Sequence, residues 1–170
     1  LYSKRTMPPT IIDADGLNFL SAEQSPHWWE RIPDELIVTP HLGEMCRLSR
    51  IGINEIQKNR LSSTINSAKK WNKVTVLKGA YTIIASPSGD AMLSPFVNPG
   101  LATAGTGDVL AGTIAGFLAQ GVGLENSATI GVYIHGSAGE IVKETLGDTG
   151  MLASDLLPAL PRAIKNLKSF

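Results

Sequence analysis

Three short apolar stretches constrain this chain most, because each ends in polar residues, with a helical pattern following the first two. Residues 9–12 run into Asp13-Ala14-Asp15-Gly16, residues 36–38 into Thr39-Pro40-His41, and residues 74–77 into Lys78-Gly79. Short strands that alternate with helices pair largely in parallel and are covered on both faces. The expected fold is therefore α/β, three layers deep, with a largely parallel sheet. Helices are expected at 17–21, at 43–49, from an N-cap at Asn54 to about residue 71, at 107–119 and at 124–146. A break falls at Gly147-Asp148-Thr149-Gly150, and a last helix starts at Ser154 or Asp155, interrupted near Pro158 and Pro161. Residues 81–85 and 91–93 predict a hairpin about Pro87-Ser88-Gly89-Asp90. Residues 23–34, with Pro26, Trp28, Trp29 and Pro33, read as irregular. Open α/β sheets bind ligands at the C-terminal ends of their strands, so the polar residues closing the three stretches are the candidates for chemistry.

A second feature lies at residues 101–121, LATAGTGDVLAGTIAGFLAQG. The turn Gly105-Thr106-Gly107-Asp108 opens an apolar helix. Such a junction gathers free N–H groups and the positive end of a helix dipole at one spot, which suits a phosphate or a developing anion. Asp108 in the first turn can cap the helix or accept a proton from something bound above it. Seventeen glycines, concentrated in the second half, suggest close approach of backbone to ligand or to packed helices. No Walker A pattern is present, and Gly105-Thr106-Gly107 does not continue as G-x-G-x-x-G.

The other candidates read two ways from the residues alone. Lys78 can pair with a phosphate or be a solvated strand-end lysine. His41 can donate to a ligand or pack in its loop. Glu44 can reach a cation through water or cap a helix. Asp13 and Asp15 can support Mg²⁺ through water or cap the next helix. His135 in mid-helix, Cys46, Trp28 and Trp29 read as packing, and Asp148 and Asp155 as structural. The 170 residues suffice for one domain spanning 1–170. Fifteen basic and fifteen acidic residues give no net charge, which leaves nucleic-acid and membrane-surface roles unsupported. The lone Cys46 rules out an internal disulfide and a multi-cysteine metal site, in keeping with a reducing, cytoplasmic setting. No apolar run reaches bilayer length.

Taken together, TPHLGE at 39–44, LKGAYT at 77–82 and NPGLATAGTGDVLAG at 98–112 resemble the signatures of the ADP/ATP-dependent NAD(P)H-hydrate dehydratases. These are the YjeF C-terminal type of the ribokinase-like superfamily. IIDADGLN at 11–18, YIHGSAGE at 133–140 and MLASDLLPALP at 151–161 fit as well. The resemblance implies a ribokinase-like fold and repair of hydrated NADH or NADPH. The hydroxyl left by water on the nicotinamide ring is phosphorylated from ADP or ATP, and phosphate is then eliminated. It implies Asp108 as base and the Gly105, Thr106 and Gly107 amides as anion hole. Lys78, Gly79, Ala80, Tyr81, Thr82 and Gly107 would hold the nucleotide. His41, Asp108 and Asn98 would contact the hydrated dinucleotide. Mg²⁺ would screen the phosphates, with Glu44 acting through water.

Family members carry a further segment upstream of the first strand, so the chain is expected to lack the N-terminal part of the family fold. Its partners would then include that segment or an epimerase domain. Two other functions remain open: a ribokinase-like kinase of the hydroxymethylpyrimidine or thiazole type, and a nucleotide-binding fragment without catalysis. Oligomeric state stays open, a homo-oligomer included.

Overall fold

The strands are three or four residues long, and their alternating side chains face two different cores. The computed structural model describes residues 7–23, 27–32, 35–147 and 149–167. The start of the chain, Pro26, Pro33 and Asp148 lie outside the described residues. In chain order the elements are β1 (Thr10–Ile12), α1 (Ala14–Ala22), β2 (Leu36–Val38), α2 (Leu42–Ser49), α3 (Ile53–Lys58), α4 (Arg60–Trp71), β3 (Val74–Leu77), β4 (Ile83–Ala85), β5 (Ala91–Leu93), α5 (Thr106–Leu118), α6 (Leu124–Leu146) and α7 (Ala153–Leu167). Single 3-10 turns occupy Trp28–Arg31 and Pro99–Ala102.

The sheet order is β1-β2-β3-β4-β5. The first three strands pair in parallel, β4 is antiparallel to β3, and β5 is antiparallel to β4. All strands but β4 therefore point the same way, and the expected hairpin is present as β4–β5. Leu36, Val38 and Leu77 face a core with Leu17, Leu20, Met45, Leu48, Ile56 and Trp71 from α1 to α4. Ile37, Val74, Val76 and Ile84 face the opposite core, with Leu110 and Ile114 of α5 and Ala128 and Val132 of α6. The period-two alternation of Leu36-Ile37-Val38 thus builds the three layers. Helix α7 stacks outside, where Leu156, Ala159 and Ala163 meet Ile134, Ala138, Ile141 and Val142 of α6.

Several boundaries differ from expectation for identifiable reasons. Helix α1 starts directly after β1 because the Asp13 carboxylate accepts the Ala14 N–H at 2.8 Å. The single helix expected from Asn54 is two. The cap is Gly52, Asn54 lies inside α3, and Asn59 leaves helical geometry at φ −130° and ψ 42°. Its N–H closes α3 on Glu55 and Ile56 while its carbonyl accepts from Ser63 in α4. Helix α7 runs through Pro158 and Pro161 without the expected interruption. Each proline forfeits a backbone hydrogen bond, but the buried face against α6 holds the segment helical. Trp28 and Trp29 pack as expected, Trp28 against Trp71 at 5.2 Å between ring centroids. Cys46 sits half-buried at the edge of the first core. Asp155 is structural, its carboxylate accepting the Leu152 N–H.

Helices α5 and α6 cross closely because α6 presents glycine. A Cβ on Gly131 would lie 2.5 Å from Ile114 Cγ1 and 3.1 Å from the Ile114 Cα. Four residues on, His135 is buried and its Nε2 sits 2.9 Å from the Thr106 carbonyl oxygen. An imidazole facing a carbonyl there donates through Nε2–H. Burial pulls the His135 pKa down from 6.5 to about 4.

Two outcomes follow from this crossing. Gly131→Ala should destabilise the chain by about 1–3 kcal/mol, since the overlap involves backbone that cannot yield. Gly112→Ala, which meets nothing within 4 Å, should gain about 0.5–1 kcal/mol from helix propensity; thermal melts compare the two. The unfolded chain protonates His135 before the folded one does. Its contribution is therefore complete above pH 6.5 and shrinks as pH falls towards about 4, by an amount of order 3 kcal/mol. Denaturant titrations at neutral and mildly acid pH should show a smaller acid loss for His135→Gln, which keeps a donor but does not titrate. Parallel losses in the two proteins would contradict this.

Candidate active site

The parallel ladder continues past the strands and sets the polar residues side by side. Thr39 N–H donates to the Ile12 carbonyl at 3.2 Å and Lys78 N–H to the Pro40 carbonyl at 2.9 Å. Asp13, His41 and Lys78 therefore leave the sheet at one edge. The Lys78 ammonium lies 2.6 Å from Asp13 Oδ1 and 3.8 Å from Glu44 Oε2. Both side chains of the shorter pair are largely buried, at 18% and 11% exposure, so losing either partner would strand a buried charge. Asp13 does two jobs: the same oxygen caps α1 and receives Lys78.

Glu44 is fixed from the other side. His41 is the N-cap of α2, and its Nδ1 accepts the N–H of Gly43 at 2.9 Å and of Glu44 at 3.3 Å. Glu44 Oε2 returns to accept the His41 N–H at 2.7 Å, completing a capping box. With Nδ1 accepting, the His41 ring proton resides on Nε2, 3.3 Å from Glu44 Oε1. The capping role considered for Glu44 is thus present in the fold, as it is for Asp13.

The glycine turn lies against this cluster. Gly105 has φ +87°, a left-handed conformation that glycine adopts without strain. Thr106 is tied down completely: its N–H donates to Thr103, its hydroxyl to Leu101 and Thr103, and its carbonyl accepts from His135. Among the described residues, the N–H groups of Gly105, Gly107 and Asp108 donate to no acceptor in the chain. Those three amides are available to an anion. A Cβ on Gly107 would lie 3.5 Å from Lys78 Nζ and 3.7 Å from Asp13 Oδ2, so the turn and the charge pair are in contact.

A cavity of about 770 Å³ opens over the turn. His41, Lys78, Gly79, Ala80, Thr82, Asn98, Gly105, Thr106 and Gly107 all line it. Of the other candidates, Glu44 is buried behind His41, Tyr81 is 54% exposed outside the lining, and Asp108 is exposed on the first turn of α5, also outside it. Asn98 accepts the Gly100 N–H through Oδ1, while its buried Nδ2 lacks a partner. Sequence reasoning missed the apolar wall formed by Phe96, Val97 and Leu101 and the contribution of His135. The signal was the glycine spacing of α6: Cβ atoms on Gly136 and Gly139 would strike Phe96 and Leu101. It also missed that Asp13 meets Lys78, a contact across 65 positions with no local signature.

Among the described residues no three His, Cys, Asp or Glu side chains converge to cage a metal. Asp13 and Glu44 are hard oxygen donors already engaged with Lys78. They fit Mg²⁺ only through water, as that reluctantly dehydrated ion allows when phosphates supply the remaining ligands. No helix among the described residues is long and apolar enough to cross a membrane.

Known proteins resemble this chain in sequence and in fold. A family model described as NAD(P)H-hydrate dehydratase matches residues 2–162. The chain is 42% identical over 164 residues to the bifunctional NAD(P)H-hydrate repair enzyme Nnr of Moorella thermoacetica, covering 96% of this chain and 31% of that protein. It is 37% identical over 160 residues to the ADP-dependent (S)-NAD(P)H-hydrate dehydratase of Neisseria meningitidis serogroup B, covering 94% and 54%. A crystal structure of the ADP/ATP-dependent NAD(P)H-hydrate dehydratase from Bacillus subtilis, co-crystallised with ATP/Mg²⁺ and soaked with CoA, aligns at a TM-score of 0.82. It shares 36% identity, with 93% of this chain and 56% of that one covered. The chain spans about half the length of the dehydratases and about a third of the bifunctional enzyme. The expected ribokinase-like architecture is the one the solved relatives share. By its sequence and its fold, the chain belongs to the NAD(P)H-hydrate dehydratase family.

Proposed function

We propose that this chain carries the nucleotide and phosphoryl-transfer side of an ADP-dependent (S)-NAD(P)H-hydrate dehydratase. The observation that carries the reading is the trio of free amides at Gly105, Gly107 and Asp108 beside the Lys78 ammonium. Together they form a cradle for a phosphoryl group at the floor of a cavity large enough for a nucleotide. Lys78, Gly79, Ala80 and Thr82 hold the nucleotide there, with Tyr81 in the same loop, and Gly107 meets its phosphates. His41 and Asn98 face the hydrated dinucleotide. Asn98 Nδ2, buried without a partner, is a donor held ready for it.

Asp108 takes the proton from the ring hydroxyl as that oxygen attacks the terminal phosphorus of ADP, and AMP leaves. The free amides of Gly105, Gly107 and Asp108 stabilise the charge on the transferring group, while Thr106, expected among them, spends its N–H on the Thr103 carbonyl. The C–O bond then breaks with phosphate leaving, the adjacent ring carbon gives up a proton to solvent, and the double bond of the reduced ring is restored. Mg²⁺, when bound, screens the phosphates, with Glu44 in contact through water. A hydroxyl is a poor leaving group and a phosphate a good one, so positioning and charge are what the protein supplies. A cytoplasmic setting and a complementary N-terminal segment or epimerase domain complete the reading.

The test mixes the purified chain with hydrated NADH, ADP and Mg²⁺. NADH absorbance should recover with equal release of AMP and phosphate. Phosphorylation of a vitamin precursor from ATP alone would favour a small-molecule kinase, and nucleotide binding without turnover a non-catalytic fragment. Asp108→Asn should lower turnover by about 10²- to 10⁴-fold with ADP affinity nearly intact; unchanged turnover would remove Asp108 as base. Lys78→Ala should weaken ADP binding by about tenfold or more, the loss of one charge-assisted contact, measured by titration calorimetry.

A further inference from the structure

Arg60 stands where electrostatics disfavours it. It is the first residue of α4, at the positive end of the helix dipole, and Asn59 before it provides no side-chain cap. Its guanidinium is half-buried, and burial pulls its pKa below the ordinary arginine value. Nη2 is buried without a hydrogen-bond partner, which costs the desolvation of a charged donor. A cation kept against all three penalties needs a compensating contact, and it has one. Nη1 donates to the Ala80 carbonyl at 2.5 Å.

That carbonyl belongs to a peptide unit gripped from both sides. The Tyr81 N–H of the same unit donates to the Phe96 carbonyl at 3.3 Å. In a trans peptide the carbonyl and the N–H point in opposite directions, so Arg60 and Phe96 together set the plane of the 80–81 peptide. The loop around it is conformationally demanding. Gly79 has φ +136°, which glycine adopts freely, but Tyr81 has φ +52°, a left-handed conformation that costs a residue with a side chain. A Cβ on Gly79 would lie 3.1 Å from Arg60 Nη2, so the guanidinium also lies directly beneath that residue. The clamp leaves Gly79, Ala80 and Thr82 lining the cavity while Tyr81 is turned out.

We infer that Arg60 is a positioning residue for nucleotide binding: by clamping the 80–81 peptide, it holds the Gly79–Thr82 loop in its cavity-facing form. The inference rests on the reading of Lys78–Thr82 as the nucleotide loop. Two measurements on the full chain test it. In the unliganded chain, Arg60→Met should speed amide hydrogen exchange in a peptide spanning 79–82 by about tenfold or more, with exchange in β3 unchanged. The same variant should weaken ADP binding by about tenfold, and Arg60→Lys, which can still reach the Ala80 carbonyl, should recover part of both effects. A merely structural arginine would lower the melting temperature without a selective change in the loop or in ADP affinity. Wild-type loop exchange in Arg60→Met overturns the inference, and so does a loosened loop with wild-type ADP affinity. Lys78→Ala separates the inference from the reading beneath it. If Lys78→Ala weakens ADP binding and Arg60→Met does not, only the role of Arg60 falls. If neither does, the nucleotide loop itself is misassigned.

Discussion

The ion pair between Lys78 and Asp13 is the contact on which the rest of the site depends. It joins the end of β3 to the end of β1 across 65 positions, with β2 between them. Glu44, fixed by the His41 capping box, closes the cluster from α2. One lysine between two carboxylates offsets part of their charge and sets a cation beside Gly107. The unpaired amides of the Gly105–Asp108 turn then meet an anion together with that ammonium. His135 completes the arrangement from below, holding the Thr106 carbonyl and so the first turn of α5. Strand ends, cap and helix start are parts of one electrostatic unit.

Much of that unit was legible in the residues. The strands announced themselves as short apolar runs closed by Asp13, His41 and Lys78, and the Gly105–Asp108 turn as a helix start suited to an anion. The parallel sheet then brings those ends together as a matter of topology. What was not legible depends on contacts between distant segments. Nothing local to Asn59 distinguishes a helix residue from the junction that starts α4 at Arg60. Pro158 and Pro161 read as breakers because their cost is local, whereas the burial that outweighs it comes from α6. His135 read as packing, which it is, but its ring also serves a carbonyl 29 positions away. Asp108 read as a cap or a base; the fold caps α5 at Gly105 without a side-chain bond and places Asp108 exposed on the first turn, outside the lining of the cavity.

The chain spans about half the length of the dehydratases it resembles, and in the proposed reading its share of the work is the phosphate. An anion cradle, a paired lysine and an apolar wall of Phe96, Val97 and Leu101 suit a nucleotide. Such chemistry asks for position and charge rather than for a covalent partner, which is why a turn, a lysine and one acid can carry it. The small-residue crossing of α5 and α6 makes this possible. Ile114 against Gly131 brings the helices close enough for His135 to reach the turn.

The most direct test follows an oxygen atom. Hydrated NADH carrying ¹⁸O in its ring hydroxyl is turned over with ADP, and the released phosphate is analysed by mass. If the hydroxyl is phosphorylated before it leaves, its oxygen becomes part of the phosphate, so the inorganic phosphate should carry one ¹⁸O per NADH restored. Label recovered in water, with unlabelled phosphate, would mean direct dehydration and would contradict the phosphoryl-transfer account of this site.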